Sequence, residues 1–282
     1  MHDLNSEVTV VIPTIGNRPE FLQQAVSSAL NQSIKPKKII IVNNGKDSLS
    51  FSPFYQMEIK IVNTVFKAGV AQARNLGATL AETKYIAFLD DDDLWESEFL
   101  ENALMSIISK DLDCVLGRID MLKNGNILKF LNATNYLNKE SFLVMNPGAT
   151  GSNILIKKET FLAIGGYDVA LPPAEDGALL YELILKGYKI TVNEKAVCIM
   201  RMHDGVRLTN PSTAANGYRQ FYLKYKKDAK IRDRKYLKWK YLKEEYKNQK
   251  TLKSLLRYGV FSLIILVLNR RPSFYWNWPN NI

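Results

Sequence analysis

The 282-residue sequence predicts an α/β fold, a mostly parallel central sheet with helices on both faces. Two observations carry the prediction. Short, strongly apolar runs alternate with stretches of helical periodicity through the first 110 residues, which implies crossover units. Polar clusters then recur just after the apolar runs, and α/β sheets hold ligands outside the carboxyl ends of their strands.

"EVTVVIP" reads as a buried strand ending at Pro13. "RPEFLQQAVSSALNQ" follows as a helix, with Phe21, Leu22, Ala25, Val26, Ala29 and Leu30 at helical spacing. "KKIIIVNNG" is a second strand ended by Asn-Gly, and "EIKIVN" a third. "GVAQARNLGATLAE" is a helix, "KYIAFLD" a fourth strand and "ESEFLENALMSIIS" a further helix. In the second half, "DCVLGRI" and "NGNILKFL" read as a strand pair, and "GSNILIKKETFLAIGGYD" as a strand, a short helix and a glycine stop. "AEDGALLYELILKGYKI" is amphipathic, with Leu179, Leu180, Leu183 and Ile184 in one stripe and Lys186-Gly187 closing it. Residues 205–217, rich in Gly, Asn, Pro, Ser and Thr, read as a loop, and the body is expected to end there: domain one at 1–217, an extension at 218–282.

The formal charge of +10 is localised. Residues 218–257 hold fifteen Lys or Arg against four Asp or Glu, while residues 1–217 hold 21 basic and 24 acidic side chains. The expected molecule is a near-neutral body with a basic, aromatic-rich helical arm. Cys114 and Cys198 lack metal spacing, which suits unbridged thiols in a reducing compartment. "MHDLNSEVTVVIP" has no signal-peptide pattern, so a cytoplasmic location is expected.

"YIAFLDDDDLW" places four aspartates in a row at a strand end, and the local sequence gives them no cation. A solvated turn that caps the next helix is one reading. The other is a divalent-cation site: Mg²⁺ and Mn²⁺ take one or two carboxylates, with phosphate oxygens completing the shell. In an extended segment Asp90 and Asp92 point to one side, so one can address a ribose while the other takes the metal. Neither G-x-x-x-x-G-K-[ST] nor G-x-G-x-x-G occurs, which speaks against P-loop or dinucleotide chemistry.

"VTVVIPTIGNRPEFLQQAVSSALNQS", "IIIVNNG", "GVAQARNLGATLAETKYIAFLDDDDLW" and "GGYD…AEDGALLYELILKGYKI" together resemble the successive motifs of family 2 glycosyltransferases of the GT-A fold, over about residues 7–210 and in the family's order. The resemblance implies a Rossmann-like sheet and a set of roles. Asp90 faces the ribose, with Asp91 beside it in the nucleotide site, and Asp92 is the metal ligand. Arg74 reaches the nucleotide, and Pro13 and Thr14 line the base. Asn43 and Asn44 stand where the family often has Asp-Asp. An amide oxygen there still accepts from a pyrimidine N–H, without the charge. Asp176, with Glu175 beside it, matches the general base; both also suit a helix start. His203 falls where relatives carry a residue near the metal or diphosphate, and an ordinary polar contact is the alternative. The loop "PTIGNRPE" is one residue longer than the common pattern.

The resemblance further implies an inverting transfer of hexose from a nucleotide sugar, a UDP-hexose, to a sugar on a polyprenyl diphosphate, in O-antigen or capsule assembly, with Mn²⁺ or Mg²⁺. A nucleotidyltransferase and a non-catalytic sugar-nucleotide-binding protein are the rivals. In the arm, Arg257 and Arg270 bracket twelve uncharged residues. As a helix these span about 18 Å, against roughly 30 Å of hydrocarbon. That length suits a segment lying on the inner face of the cell membrane, with Trp276 and Trp278 at headgroup depth. Packing or oligomer contact is the second reading, and nucleic acid is not the expected partner.

Overall fold

The computed structural model describes residues 7–49, 59–129, 137–144, 146, 148–202 and 211–267. Its first half follows the predicted alternation: β1 (Val8–Thr14), α1 (Pro19–Leu30), β2 (Lys38–Asn43), β3 (Ile59–Asn63), α2 (Val70–Leu80), β4 (Tyr85–Phe88), β5 (Leu94–Trp95) and α3 (Phe99–Ser109). The second half adds β6 (Cys114–Lys123), β7 (Asn126–Lys129), α4 (Lys139–Val144), β8 (Ile154–Lys157), α5 (Lys158–Ala163), α6 (Glu175–Leu185) and β9 (Ile190–Arg201). Three helices follow: α7 (Pro211–Tyr225), α8 (Ile231–Gln249) and α9 (Leu252–Val267).

One sheet runs β3-β2-β1-β4-β8-β6-β9-β5, with β7 paired to β6. The β3-β2-β1-β4 half is parallel throughout. Beyond it β8 runs antiparallel to both β4 and β6, and β9 returns parallel to β6. All seven residues of β1 are buried because helices cover both faces of the sheet. The side chains alternate between two cores. Val8, Val10 and Ile12 pack with Leu22, Val26 and Phe99 of α1 and α3. Val11, Ile40 and Val42 pack with α2, α6 and Phe221 of α7.

The loop reading of 205–217 gives way at its end. Residues from Pro211 are helical in α7. The apolar residues Ala214, Phe221 and Tyr225 are buried, and the last two belong to the core that covers α6. That burial outweighs the weak helix propensity of the Ser, Thr, Asn and Gly at its start. The division drawn at residue 217 therefore falls inside a helix docked on the body. A smaller core of Val144, Tyr236, Trp239 and Ile265 joins α4, α8 and α9. Among the described residues no helix is long and apolar enough to cross a membrane. Trp276, Trp278 and Arg270 lie outside the described residues.

Candidate active site

β2, β1 and β4 are neighbours, so their carboxyl ends bring Asn43-Asn44, Thr14 and Asp90 to one edge, as the strand pattern predicted. Pro13 is buried within β1 opposite Val42. Thr14 Oγ1 donates to Asp91 Oδ2 at 2.5 Å. Asn43 spends its amide on Asp47 O and Asn63 Oδ1, and its oxygen accepts from Gly45 N at 2.9 Å. Asn44 Oδ1 accepts from Thr64 Oγ1 at 3.0 Å. Both asparagines are buried and shape the loop after β2.

The aspartate run does not continue as an extended strand. It turns, with Asp93 N donating to Asp90 O. The alternation persists as burial: the Asp91 and Asp93 side chains point inward, while those of Asp90 and Asp92 stay 28% and 22% exposed. The run does not cap α3 either. The residue before that helix is Glu98, and it makes no side-chain cap.

The cations that the local sequence lacks come from elsewhere in the fold. Arg18, in the long loop after β1, reaches Asp91 Oδ1 at 2.9 Å and Asp92 Oδ2 at 2.7 Å. Arg74, on α2, reaches Asp90 Oδ1 at 2.6 Å. Arg201, at the end of β9, donates through Nε to Asp92 O at 3.0 Å and lies over the Phe21 ring. Asp93 accepts from Ser152 Oγ at 2.6 Å and from Arg201 N at 3.0 Å. Burial pushes the Asp91 carboxyl up to about 6 against the pull of Thr14 and Arg18. Burial, together with the neighbouring aspartates, pushes Asp93 up to about 8.

Arg74 also joins the aspartate run to α6. Its Nη1 lies 3.2 Å from Asp176 Oδ1 and 3.5 Å from Glu175 Oε1. The guanidinium is buried and stands 5.1 Å from the Tyr167 ring centroid. Gly151 makes room for it, since a Cβ there would sit 1.8 Å from Arg74 Nη2. The Asp176 carboxylate thus faces the aspartate run and the Gly151 N–H. No side chain caps the start of α6, where Ala174 takes the capping position. Burial raises Asp176 to about 8, opposed by Arg74 and reinforced by Glu175 and Asp90. Glu175 is raised chiefly by burial as well.

Asp90 and Asp92 offer hard carboxylate oxygens at the strand edge, the donor type that Mg²⁺ and Mn²⁺ take. Among the described residues no three His, Cys, Asp or Glu side chains form a complete cage. His203 lies outside the described residues. Arg18, Gly151, Ser152 and Arg201 were absent from the sequence-derived site. Arg18 sits in the lengthened loop, so it stood inside a motif already singled out, while Arg201, two residues before His203, lay outside them.

The sequence model described as glycosyl transferase family 2 matches residues 9–163, more than half of the chain. Among curated proteins the chain is 25% identical over 124 residues to UDP-Glc:alpha-D-GlcNAc-diphosphoundecaprenol beta-1,3-glucosyltransferase WfgD of Escherichia coli, covering 43% of this chain and 49% of that one. Matches to the first curated relatives span only 39–61% of those proteins' own lengths. Among solved structures, Staphylococcus aureus TarS 1–349 in complex with UDP-GlcNAc aligns with a TM-score of 0.65 at 14% identity, covering 90% of this chain and 79% of that one. GalNAc-T7 with UDP, GalNAc and Mn²⁺ aligns at 0.57 and 15% identity, covering 74% and 47%. These likenesses establish the GT-A fold, and the family match, over the strands and loops that build the aspartate edge, shows that the chain belongs to glycosyl transferase family 2.

Proposed function

We propose that the protein is an inverting hexosyltransferase that uses a UDP-sugar donor and a hydroxyl of a lipid-linked acceptor sugar in O-antigen or capsule assembly. The single observation that carries the reading is the Arg74 bridge, which holds the Asp176 carboxylate against the aspartate edge. WfgD, whose name specifies a UDP-glucose donor and a diphosphoundecaprenol acceptor, supports the substrate class.

The nucleotide is assigned to the edge formed by Thr14, the 43–45 loop and Asp90. Asp90, with Asp91 and Arg74 behind it, faces the ribose. Asp92 would hold Mn²⁺ or Mg²⁺, which supplies charge neutralisation to a departing diphosphate. Asp176 takes the proton of the acceptor hydroxyl as its oxygen attacks the anomeric carbon. The bond to the diphosphate oxygen breaks and its electron pair leaves with UDP. One displacement inverts the anomeric centre. Glu175 stays buried beside Arg74 and keeps the base oriented. With its pKa near 8, Asp176 is a strong enough base for a hydroxyl proton that is lost as the new bond forms.

Attachment at the inner membrane face, as a peripheral protein, completes the proposal. It is supported by the basic α8 and by an apolar stripe on α9, where Leu252, Leu256, Val260 and Leu263 are all exposed. The function is tested by screening nucleotide sugars for hydrolysis dependent on Mn²⁺ or Mg²⁺. Release of nucleoside diphosphate is expected. Release of pyrophosphate would identify a nucleotidyltransferase, and no turnover of any donor would leave a binding protein.

A further inference from the structure

The side chains that the motifs offer to a nucleotide base are engaged elsewhere. Arg74 is buried and held by Asp90, Glu175 and Asp176. Asn43 uses its amide hydrogens on Asp47 O and Asn63 Oδ1, and its oxygen on Gly45 N. Asn44 Oδ1 accepts from Thr64 Oγ1. What the 43–45 loop still offers is a donor. Asn44 is 6% exposed, and its Nδ2 donates to no described residue.

The loop after β3 lies against that donor. Thr64 N donates to Asn43 O at 2.9 Å, and Lys67 N to Asn44 O at 3.3 Å. Val65 to Ala68 form a tight turn, closed by Ala68 N on Val65 O at 3.0 Å. Its third residue, Lys67, has a φ of 61°, a left-handed conformation that suits Gly or Asn. Phe66 is 51% exposed, and Lys67 Nζ stands 5.2 Å from its ring centroid, which places the ammonium beside the ring. Core packing accounts for neither the ring left in water nor the lysine in a glycine-type conformation. Both lie at the carboxyl edge, where such sheets take ligands, and backbone strain collects at ligand sites.

We propose that Phe66 and Lys67 recognise the donor's base: the Phe66 ring stacks on a uracil, Lys67 Nζ donates to its O4 and Asn44 Nδ2 to its O2. The assignment rests on the transferase reading above and follows from strand order. With the ribose at Asp90, beyond β4, the base extends past β1 and β2 toward β3. O4 is the carbonyl oxygen farther from the ribose, so it meets the β3 side, where Lys67 stands. O2, beside the bond to the ribose, meets Asn44 just past β2. Two donors suit uracil, because O2 and O4 both accept. Cytosine carries an amino group in place of O4, so there a donor would face the Lys67 ammonium.

The test titrates the full chain with UDP, CDP and GDP by calorimetry, in the presence of Mn²⁺. UDP should bind at least about tenfold tighter than CDP. Phe66→Ala should weaken UDP and CDP alike, by about tenfold, because stacking does not read the edge of the base. Lys67→Met should weaken UDP by about tenfold and CDP by less than about threefold. Equal binding of UDP and CDP to wild type, tighter binding of GDP, or an unchanged UDP affinity in either variant would overturn the assignment. Equal losses of UDP and CDP in Lys67→Met would put the lysine on the phosphates and overturn it as well.

A further variant separates recognition from a structural role. Lys67→Gly relieves the left-handed backbone, so the melting temperature should hold or rise while UDP affinity falls as in Lys67→Met. A melting temperature that drops would make the lysine part of the turn's architecture and sink the proposal. The two readings fail separately. If UDP binds and neither Phe66→Ala nor Lys67→Met weakens it, the base site fails and the transferase reading stands. If no nucleoside diphosphate binds, the transferase reading fails and takes the base site with it.

Discussion

One guanidinium holds Asp90 and Asp176 together across 86 positions of sequence: Arg74 Nη2 meets Asp90 Oδ1 at 2.6 Å and Nη1 meets Asp176 Oδ1 at 3.2 Å. Asp90 lies two residues past the end of β4 and Asp176 in the first turn of α6, beside the edge where a donor is proposed to lie. Their relative position is set by the buried α2 residue between them. The carboxylates in turn keep Arg74 charged: burial opposes the charge, but Asp90 and Asp176 hold its pKa above the ordinary value.

Arg74→Met should therefore be severe. It leaves Asp90, Glu175 and Asp176 without their shared cation, and removing one partner of a buried ion pair costs about 3–5 kcal/mol. Denaturant melts should show that loss at pH 8. The loss should shrink toward pH 5, because Glu175 and Asp176, whose pKa values burial raises, take up protons and no longer need a cation. A variant as stable as wild type at pH 8 would mean that the bridge is not an organising contact.

The role proposed for Asp176 sets the pH dependence of transfer. A general base works only when deprotonated, and its pKa stands near 8 in the folded chain. Turnover at limiting substrate should rise about tenfold per pH unit below that value and level off above it. Asp176→Asn should remove this limb and cost about 10²–10⁴ in rate while UDP still binds. A pH profile unchanged in Asp176→Asn would assign the limb, and the base, to another residue.

Gly151 is tied to the same bridge. An added methyl would lie 1.8 Å from Arg74 Nη2 and 2.3 Å from its Cζ, and Arg74 cannot yield without leaving its carboxylates. Gly151→Ala should lose about 1–3 kcal/mol of stability, the usual cost of overpacking, and most of its donor turnover. An unchanged melting temperature together with full turnover would show that Arg74 has room to move.

Asp92 is the residue assigned to the metal, and Arg18 already holds its Oδ2. Asp92→Asn should abolish the binding of Mn²⁺, followed by the relaxation of water protons in the presence of UDP, with the fold intact. EDTA should reproduce the loss of turnover in wild type. Full turnover in EDTA would remove the metal role.

Much of this was legible in the sequence because it depends on local pattern. The parallel half of the sheet could be read from apolar runs that end in polar residues, and α6 from its stripe and glycine stop. β5 and β9 could not. β5 is two residues long, and β9 carries charged and apolar residues without a clean period because only its centre is buried. The site followed the same division. Asp90, Asp92 and Asp176 belong to motifs. Arg74 stands in the same motif as Asp90, but its bridge to Asp176 comes from packing, and so does the approach of Arg18, in the first loop, to Asp91 and Asp92. The low helix propensity of residues 211–217 hid α7, whose stability comes from tertiary burial.

The arm gives the last prediction. α7 and α8 bury Phe221, Tyr225 and Leu237 in the main core, so a chain cut near Gly217 would expose core surface and is a poor test of membrane binding. Substitutions on α9 avoid this. Leu252, Leu256, Val260 and Leu263 recur every three or four residues, and Leu256 and Leu263 are 60% and 63% exposed. Lys253 and Arg257 flank them, so the helix has the make-up of one that lies along an anionic surface. Inserting such a stripe gains about 25 cal/mol per Å² of apolar area, and each nearby cation adds about 1 kcal/mol. Leu256→Glu combined with Leu263→Glu reverses both contributions at solvent-facing positions, so the melting temperature should hold. Sedimentation with vesicles containing anionic lipid should fall by more than about tenfold. Salt should loosen wild type only in part, because screening leaves the apolar contact in place. If the double variant sediments like wild type, the stripe does not face lipid, and contact with another protein surface becomes the better account of its exposure.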